Sequence, residues 1–152
     1  DECLEVLQWA AAEADFYGLE SALRLDLPRS FTLELFGDHV RGEFDAGGDV
    51  PRVPPGRFGA ELAWHRGGWD VAARVTEVLE QDRTGEGERS VSGYTLLAAR
   101  AEYAFAAGGG DWTLFLRGEN LLDEEIRNAS SLLRDVAPEA GINVEAGVRM
   151  SF

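Results

Sequence analysis

His39, His65, Ser30 and Ser92 are residue types that could support nucleophilic or metal chemistry. A serine hydrolase of the common design needs a Gly-x-Ser-x-Gly turn and a histidine brought to the hydroxyl. No such turn occurs, and the two histidines fall in different predicted strands. Zinc sites repeat their ligands at characteristic spacings. His39 and His65 share no such spacing and read as solvated strand residues, even with carboxylates in the loops. Gly108-Gly109-Gly110 is not followed by the Lys-Ser/Thr of a phosphate loop, so it reads as a turn. Glu124 and Glu125 read as a solvated helical turn capped by Asn120, not as paired catalytic acids. Cys3 is the one cysteine and can form no internal disulfide. The expectation is a chain that is not an enzyme, with no catalytic residue, metal site or cofactor.

What remains is a ladder of charges: Arg24, Glu34, Glu61, Arg74, Arg100, Glu102, Arg117, Glu145 and Arg149. Arginine and glutamate are nearly balanced on it, as an enclosed polar interior requires, because buried unpaired charge is costly.

The elements that place this ladder follow from alternation. From Asn143 to Phe152 every even position is apolar (Val144, Ala146, Val148, Met150, Phe152), and every odd one is polar, charged or glycine. A strict period of two is a strand with one apolar face. The same period runs from Tyr17 to Leu27, Phe31 to Leu35, Phe58 to Trp64, Trp69 to Val75, Leu97 to Phe105 and Trp112 to Leu116, with Phe36 as a break. Charges recur in mid-strand on the other face. A soluble sandwich could bury such apolar faces. A transmembrane β-barrel presents them to lipid.

Connections alternate strictly. Short ones fall at Pro28-Arg29, Arg66-Gly67-Gly68 and Ala107 to Gly110. Long ones fall at about 45–56, 80–93 and 120–142. Outer-membrane barrels have short periplasmic turns and long extracellular loops, so the last strand runs down to the periplasm and Phe152 sits at its rim. Leu23, Leu25, Leu33, Leu62, Val71, Leu114 and Val148 are expected to meet lipid, and Ala72 to be a tolerant inward position. Tyr17, Phe31, Trp64, Trp69, Tyr94, Tyr103, Phe105, Trp112 and Phe152 lie near strand ends, where interfacial girdles form.

At 152 residues the chain reads as one domain, a single β-barrel segment over 1–152. With 14 basic and 28 acidic residues the net charge is −14, and the basic residues form no patch, so nucleic acid is not an expected partner. Acidic loops read as a hydrated rim that would also attract cations. No run of ~18 apolar residues offers a spanning helix. The chain opens on Asp1 with no initiating Met or signal peptide, which reads as a mature form or a fragment.

Several segments resemble the C-terminal part of TonB-dependent outer-membrane receptors, in order from about Asp15 to Phe152. Asn120-Leu121-Leu122-Asp123 is similar to that family's N-L-[FL]-D segment. Pro51 to Pro55 with Arg57 resembles P-R-[IV]-P-P-x-R, and Gly93 to Leu97 resembles G-Y-x-L-L. Phe16 to Glu20 resembles F-x-G-x-E, and Ser130 to Pro138 resembles a subgroup's S-F-L-K-D-x-A-P loop. The subgroup's histidine before that serine is replaced here, where Asn128 and Ala129 stand, and its later P-G-R reads Ala140-Gly141-Ile142. A loop ligand depending on that histidine is therefore in question.

The resemblance implies an all-β, antiparallel, up-and-down transmembrane barrel of about eight strands here. These strands would belong to a larger barrel of about 22 whose plug domain is absent, or would close as a small barrel. It implies the bacterial outer membrane, with lipid, plug, TonB complex and an unidentified nutrient as partners, and energised uptake of a scarce nutrient such as a metal or metal chelate. Val148, Met150 and Phe152 would carry the membrane-insertion signal, and the charge ladder would face the lumen. The alternative is a small closed outer-membrane barrel acting as a structural or binding module without transport.

Overall fold

The computed structural model describes residues 11–152. Cys3 lies outside the described residues. Seven strands follow one another: β1 (Ala14–Leu27), β2 (Phe31–Phe44), β3 (Arg57–Arg66), β4 (Trp69–Val78), β5 (Tyr94–Ala107), β6 (Gly110–Glu119) and β7 (Asn143–Ser151). They form one sheet in the order β1 to β7, each antiparallel to its sequence neighbours. This is the up-and-down wall expected from the alternation. Seven strands account for the described residues, and β1, β2 and β5 run 14 residues each, beyond the ~9–11 of a minimal spanning strand. The connection 120–142 adds no strand.

Two of the short turns are made by glycine pairs. Gly67 and Gly68 have φ of 59° and 85°, and Gly108 and Gly109 have 62° and 83°. Two consecutive positive φ values give a primed turn, whose twist matches that of the flanking strands. The third turn places Arg29 and Ser30 in the left-handed region at 64° and 65°, which non-glycine residues seldom occupy.

The register sorts side chains cleanly. Leu25 of β1 faces Leu33 of β2, which faces Leu62 of β3 and then Ala73 of β4. Leu114 of β6 faces Val148 of β7. All seven apolar runs therefore share one face. No second layer covers it among the described residues: Leu19 is 74 %, Leu62 46 % and Val148 59 % exposed, and no large side chain is fully buried. A soluble sandwich would bury this face beneath another sheet. A transmembrane barrel presents such a face to lipid.

Phe36 interrupts the alternation for a packing reason. It lies on the opposite, charged face across from Gly59, and a Cβ at Gly59 would collide with its ring. The Arg74 guanidinium stacks on the same ring at 3.9 Å. Phe115 repeats the device over Gly147 of the adjacent strand.

Candidate functional site

All nine residues of the charge ladder lie on one face, because the register puts Arg24 opposite Glu34, Glu34 opposite Glu61, Glu61 opposite Arg74, Arg100 opposite Arg117 and Arg117 opposite Glu145. Five of them are joined by ion pairs. Glu61 receives Arg100 at 2.9 Å and Arg74 at 3.6 Å, and Arg117 reaches Glu102 at 2.8 Å. Arg24 turns to Asp26 at 3.8 Å, while Glu34, Glu145 and Arg149 make no ion pair among the described residues. Each pair is partly exposed, so each contributes only about 0–1 kcal/mol. Together they fix the positions of the guanidinium groups along the wall.

The ladder omitted members of the same face. Asp70 bridges Arg100 at 3.6 Å and His65 at 2.6 Å, and Arg57 pairs with Asp38 at 2.7 Å. Strict parity along each strand would have found them. His39 sits on the other parity of β2, so the two histidines cannot converge. No group of three or more His, Cys, Asp or Glu that could hold a metal occurs among the described residues. Ala72, expected to be a tolerant inward position, does lie on the charged face. It is only 3 % exposed, and it floors a recess shared with Glu61, Arg74, Arg100 and Arg117.

At the short-turn rim of the apolar face, aromatic rings form a row. Trp69 and Tyr103 are 4.7 Å apart by ring centroid, Tyr103 and Phe105 5.7 Å, and Phe105 and Trp112 6.4 Å. The Trp112 indole donates to the Ala107 carbonyl at 3.1 Å. Tyr94 departs from the girdle expectation, since it shares the parity of Arg100 and Glu102 on the charged face. In β7, Val148 and Met150 lie opposite Leu114 and Trp112, and Phe152 beyond them is fully exposed.

At the other rim the three long loops are tied together. Glu88, from the loop between β4 and β5, accepts the backbone N–H groups of Gly85 at 3.1 Å and of Arg52 at 3.2 Å, the latter in the β2–β3 loop. Its other oxygen lies 3.5 Å from the guanidinium of Arg134 in the β6–β7 loop. Arg134 is 6 % exposed and also donates to the Ala129 carbonyl at 2.9 Å. Gln81 adds a link by donating to the Val53 carbonyl at 2.7 Å.

The Asn120 to Asp123 segment closes the base of the last loop. The Asn120 amide donates to the carbonyls of Glu124 at 2.9 Å and Ala140 at 3.2 Å, and its oxygen accepts the Glu124 N–H at 3.0 Å. Asp123 accepts the Ile142 N–H at 3.2 Å. No helical turn forms at Glu124 and Glu125, contrary to expectation. Asn120 has φ 48° and Asp123 φ 55°, and the capping bond serves a loop whose backbone groups are taken by side chains. Asn128, beside the position where the resembling subgroup has histidine, instead donates to Glu139 at 3.1 Å and accepts the Ser130 N–H at 3.0 Å.

The loop folds back over the charged face. With Arg74, Thr76, Leu96, Ala98 and Glu119 of the wall, its residues Ile126, Glu139 and Ala140 line a half-open cavity of about 340 Å³.

Comparison with known proteins agrees with this architecture. The family model described as TonB dependent receptor-like, beta-barrel matches residues 7–121. Among solved structures, the fold is similar to that of the copper transporter OprC, with a TM-score of 0.79 and 17 % identity over 90 % of this chain. That alignment covers 23 % of the transporter, so the chain spans about a quarter of its length. A single-layer meander with one apolar face and one charged face, matched over most of its length by this family model, belongs to the TonB-dependent receptor-like β-barrel family.

Proposed function

We propose that this chain is a segment of barrel wall, 1–152, in an outer-membrane TonB-dependent receptor that takes up a scarce nutrient such as a metal or metal chelate. The family is described as receptor-like and the structural neighbour as a copper transporter, which supports this reading. The observation that carries the reading is the opposition of the two faces in one uncovered layer. The apolar face meets outer-membrane lipid. The charged face, with Arg24, Glu34, Glu61, Arg74, Arg100, Glu102, Arg117, Glu145 and Arg149, lines the lumen, where it contacts the plug and the transported ligand. The linked long loops lie outside the cell, and Val148, Met150 and Phe152 form the end read by the assembly machinery through strand addition. Energy comes from the TonB complex.

Part of a larger barrel is favoured over a small closed one, because β1 and β7 are not paired with each other. The test is uptake by cells carrying the complete receptor gene, with isotopically labelled metal salts and chelates supplied one at a time. One of them should accumulate only when both the receptor and TonB are present. Accumulation that survives loss of TonB, or that never depends on the receptor, overturns the transport reading.

A further inference from the structure

The cavity under the last long loop has a distinct chemistry. Its volume of about 340 Å³ lies at the lower end of ligand sites, which run ~300–1,000 Å³. Leu96, Ala98 and Ile126 supply apolar floor and wall. Its one lining cation, Arg74, is already engaged, with Glu61 at 3.6 Å and the Phe36 ring at 3.9 Å. The nearby Arg117 is held by Glu102 at 2.8 Å. Two carboxylates make no ion pair among the described residues: Glu119, which shares the field of Arg117 with Glu102 and Glu145, and Glu139, which receives the Asn128 amide at 3.1 Å. The pocket therefore combines an excess of negative charge with hydrocarbon surface.

We propose that this pocket binds a small organic cation, an ammonium or guanidinium group on a compact apolar body. The inference rests on the reading of the charged face as lumen. An anion would have to take Arg74 from Glu61 and face two carboxylates. A bare divalent ion would find too few ligands, since hard cations need several oxygens and no group of three or more acidic, histidine or cysteine side chains converges among the described residues. An organic cation needs one or two carboxylates and a place for its carbon skeleton. The loop that roofs the pocket is held in place at its base by Asn120 and at its tip by the Arg134–Glu88 pair. The acidic loops around it raise the local concentration of cations.

The test uses the complete receptor purified in detergent, with two fluorescent probes of equal size, a dansylated alkylammonium and a dansylated alkylcarboxylate. The ammonium probe should bind saturably and at least ~10-fold more tightly, a difference of about 1.4 kcal/mol. The double variant Glu119→Gln, Glu139→Gln should erase that preference. Ala98→Leu, which fills the floor, should weaken the ammonium probe without changing the protein's unfolding midpoint. Equal binding of the two probes, no saturable binding, or a preference that survives the double variant overturns the proposal. So does a zero-length carbodiimide cross-link from Glu119 or Glu139 to a lysine elsewhere in the receptor, because an internal side chain then occupies the pocket. TonB-dependent uptake is measured on the same receptor. Uptake without probe preference refutes the pocket alone. Probe preference without uptake refutes the transport reading.

Discussion

Replacing Glu88 by alanine should loosen all three long loops, although the residue belongs to only one of them. Its carboxylate accepts two backbone N–H groups, at 3.1 and 3.2 Å, and sits 3.5 Å from a guanidinium that is 6 % exposed. A hydrogen bond to a charged group contributes about 1.5–3 kcal/mol, and breaking a buried pair by removing one partner costs about 3–5 kcal/mol. The Arg52 amide is exposed and can turn to water, the ion pair is long, and Arg134 keeps its bond to Ala129. These offsets leave a net cost of ~2–4 kcal/mol in loop order, a roughly 30- to 700-fold rise in local opening.

Hydrogen exchange followed by mass spectrometry on the complete receptor reads this directly, because local opening sets amide protection. Protection should fall at the Arg52 amide in the first long loop and at the Glu139 amide, which bonds the Ile126 carbonyl at 2.9 Å in the third. The exposed Glu86, which makes no hydrogen bond through its side chain among the described residues, serves as the control: Glu86→Ala should leave both amides protected. If Glu88→Ala exposes only its own loop, the loops are independent and the argument from the shared carboxylate is wrong.

Val71→Arg, on the apolar face, should cost ~2–4 kcal/mol in folding into lipid vesicles if the site is near mid-bilayer, whereas Arg at the exposed, charged-face position Ala104 should cost far less; equal costs would contradict the assignment of faces. Protease added to intact cells should cut within 45–56, 80–93 or 120–142 and spare Gly67-Gly68, and cleavage at the glycine pair would invert or destroy the topology. Deleting Phe152, which packs on nothing in the described structure, should lower the amount of complete receptor in the outer membrane while leaving the unfolding midpoint of refolded protein almost unchanged; undiminished membrane levels would reduce the terminal pattern to an ordinary strand. Gly147→Ala should destabilise by about 1–3 kcal/mol, because its Cβ would enter the space of the Phe115 ring, and Phe115→Ala in the same chain should recover part of that loss in a denaturation midpoint.

The strands were legible because a half-lipid, half-polar wall writes its two faces into alternate residues. Leu23, Leu62 and Val148 announce one face, and Arg74 and Glu102 the other. Turn positions were legible for the same local reason, since Gly67-Gly68 and Gly108-Gly109 suit a primed turn. Phe36 read as an exception because its partner, Gly59, is adjacent only through the β2–β3 pairing. The ion pairs of Asp70 were missed because they depend on register between strands. The loops were least legible. Glu88 and Arg134 look like ordinary solvated charges in sequence, and only the folded rim brings them together with Arg52. The helical turn expected after Asn120 failed because its side chain binds Ala140, twenty residues downstream, a contact no local pattern encodes.

The order of the strands has a consequence for how the wall is built. Every strand pairs through its backbone only with the strands before and after it in the chain, so the wall behaves to a first approximation as a one-dimensional stack of hairpins, each stabilised mainly by its nearest neighbours. Such a stack can zip up from any hairpin and grow one unit at a time, with each step closing only a short stretch of chain. Damage inside one hairpin should fray its neighbours most. Arg100–Glu61 and Arg74–Phe36 reach one strand further, and the carboxylate of Glu88 joins both the loop before its own and the loop after it. Assembly of the strands can therefore be sequential and modular, while the outer rim becomes cooperative only once the last hairpin has arrived.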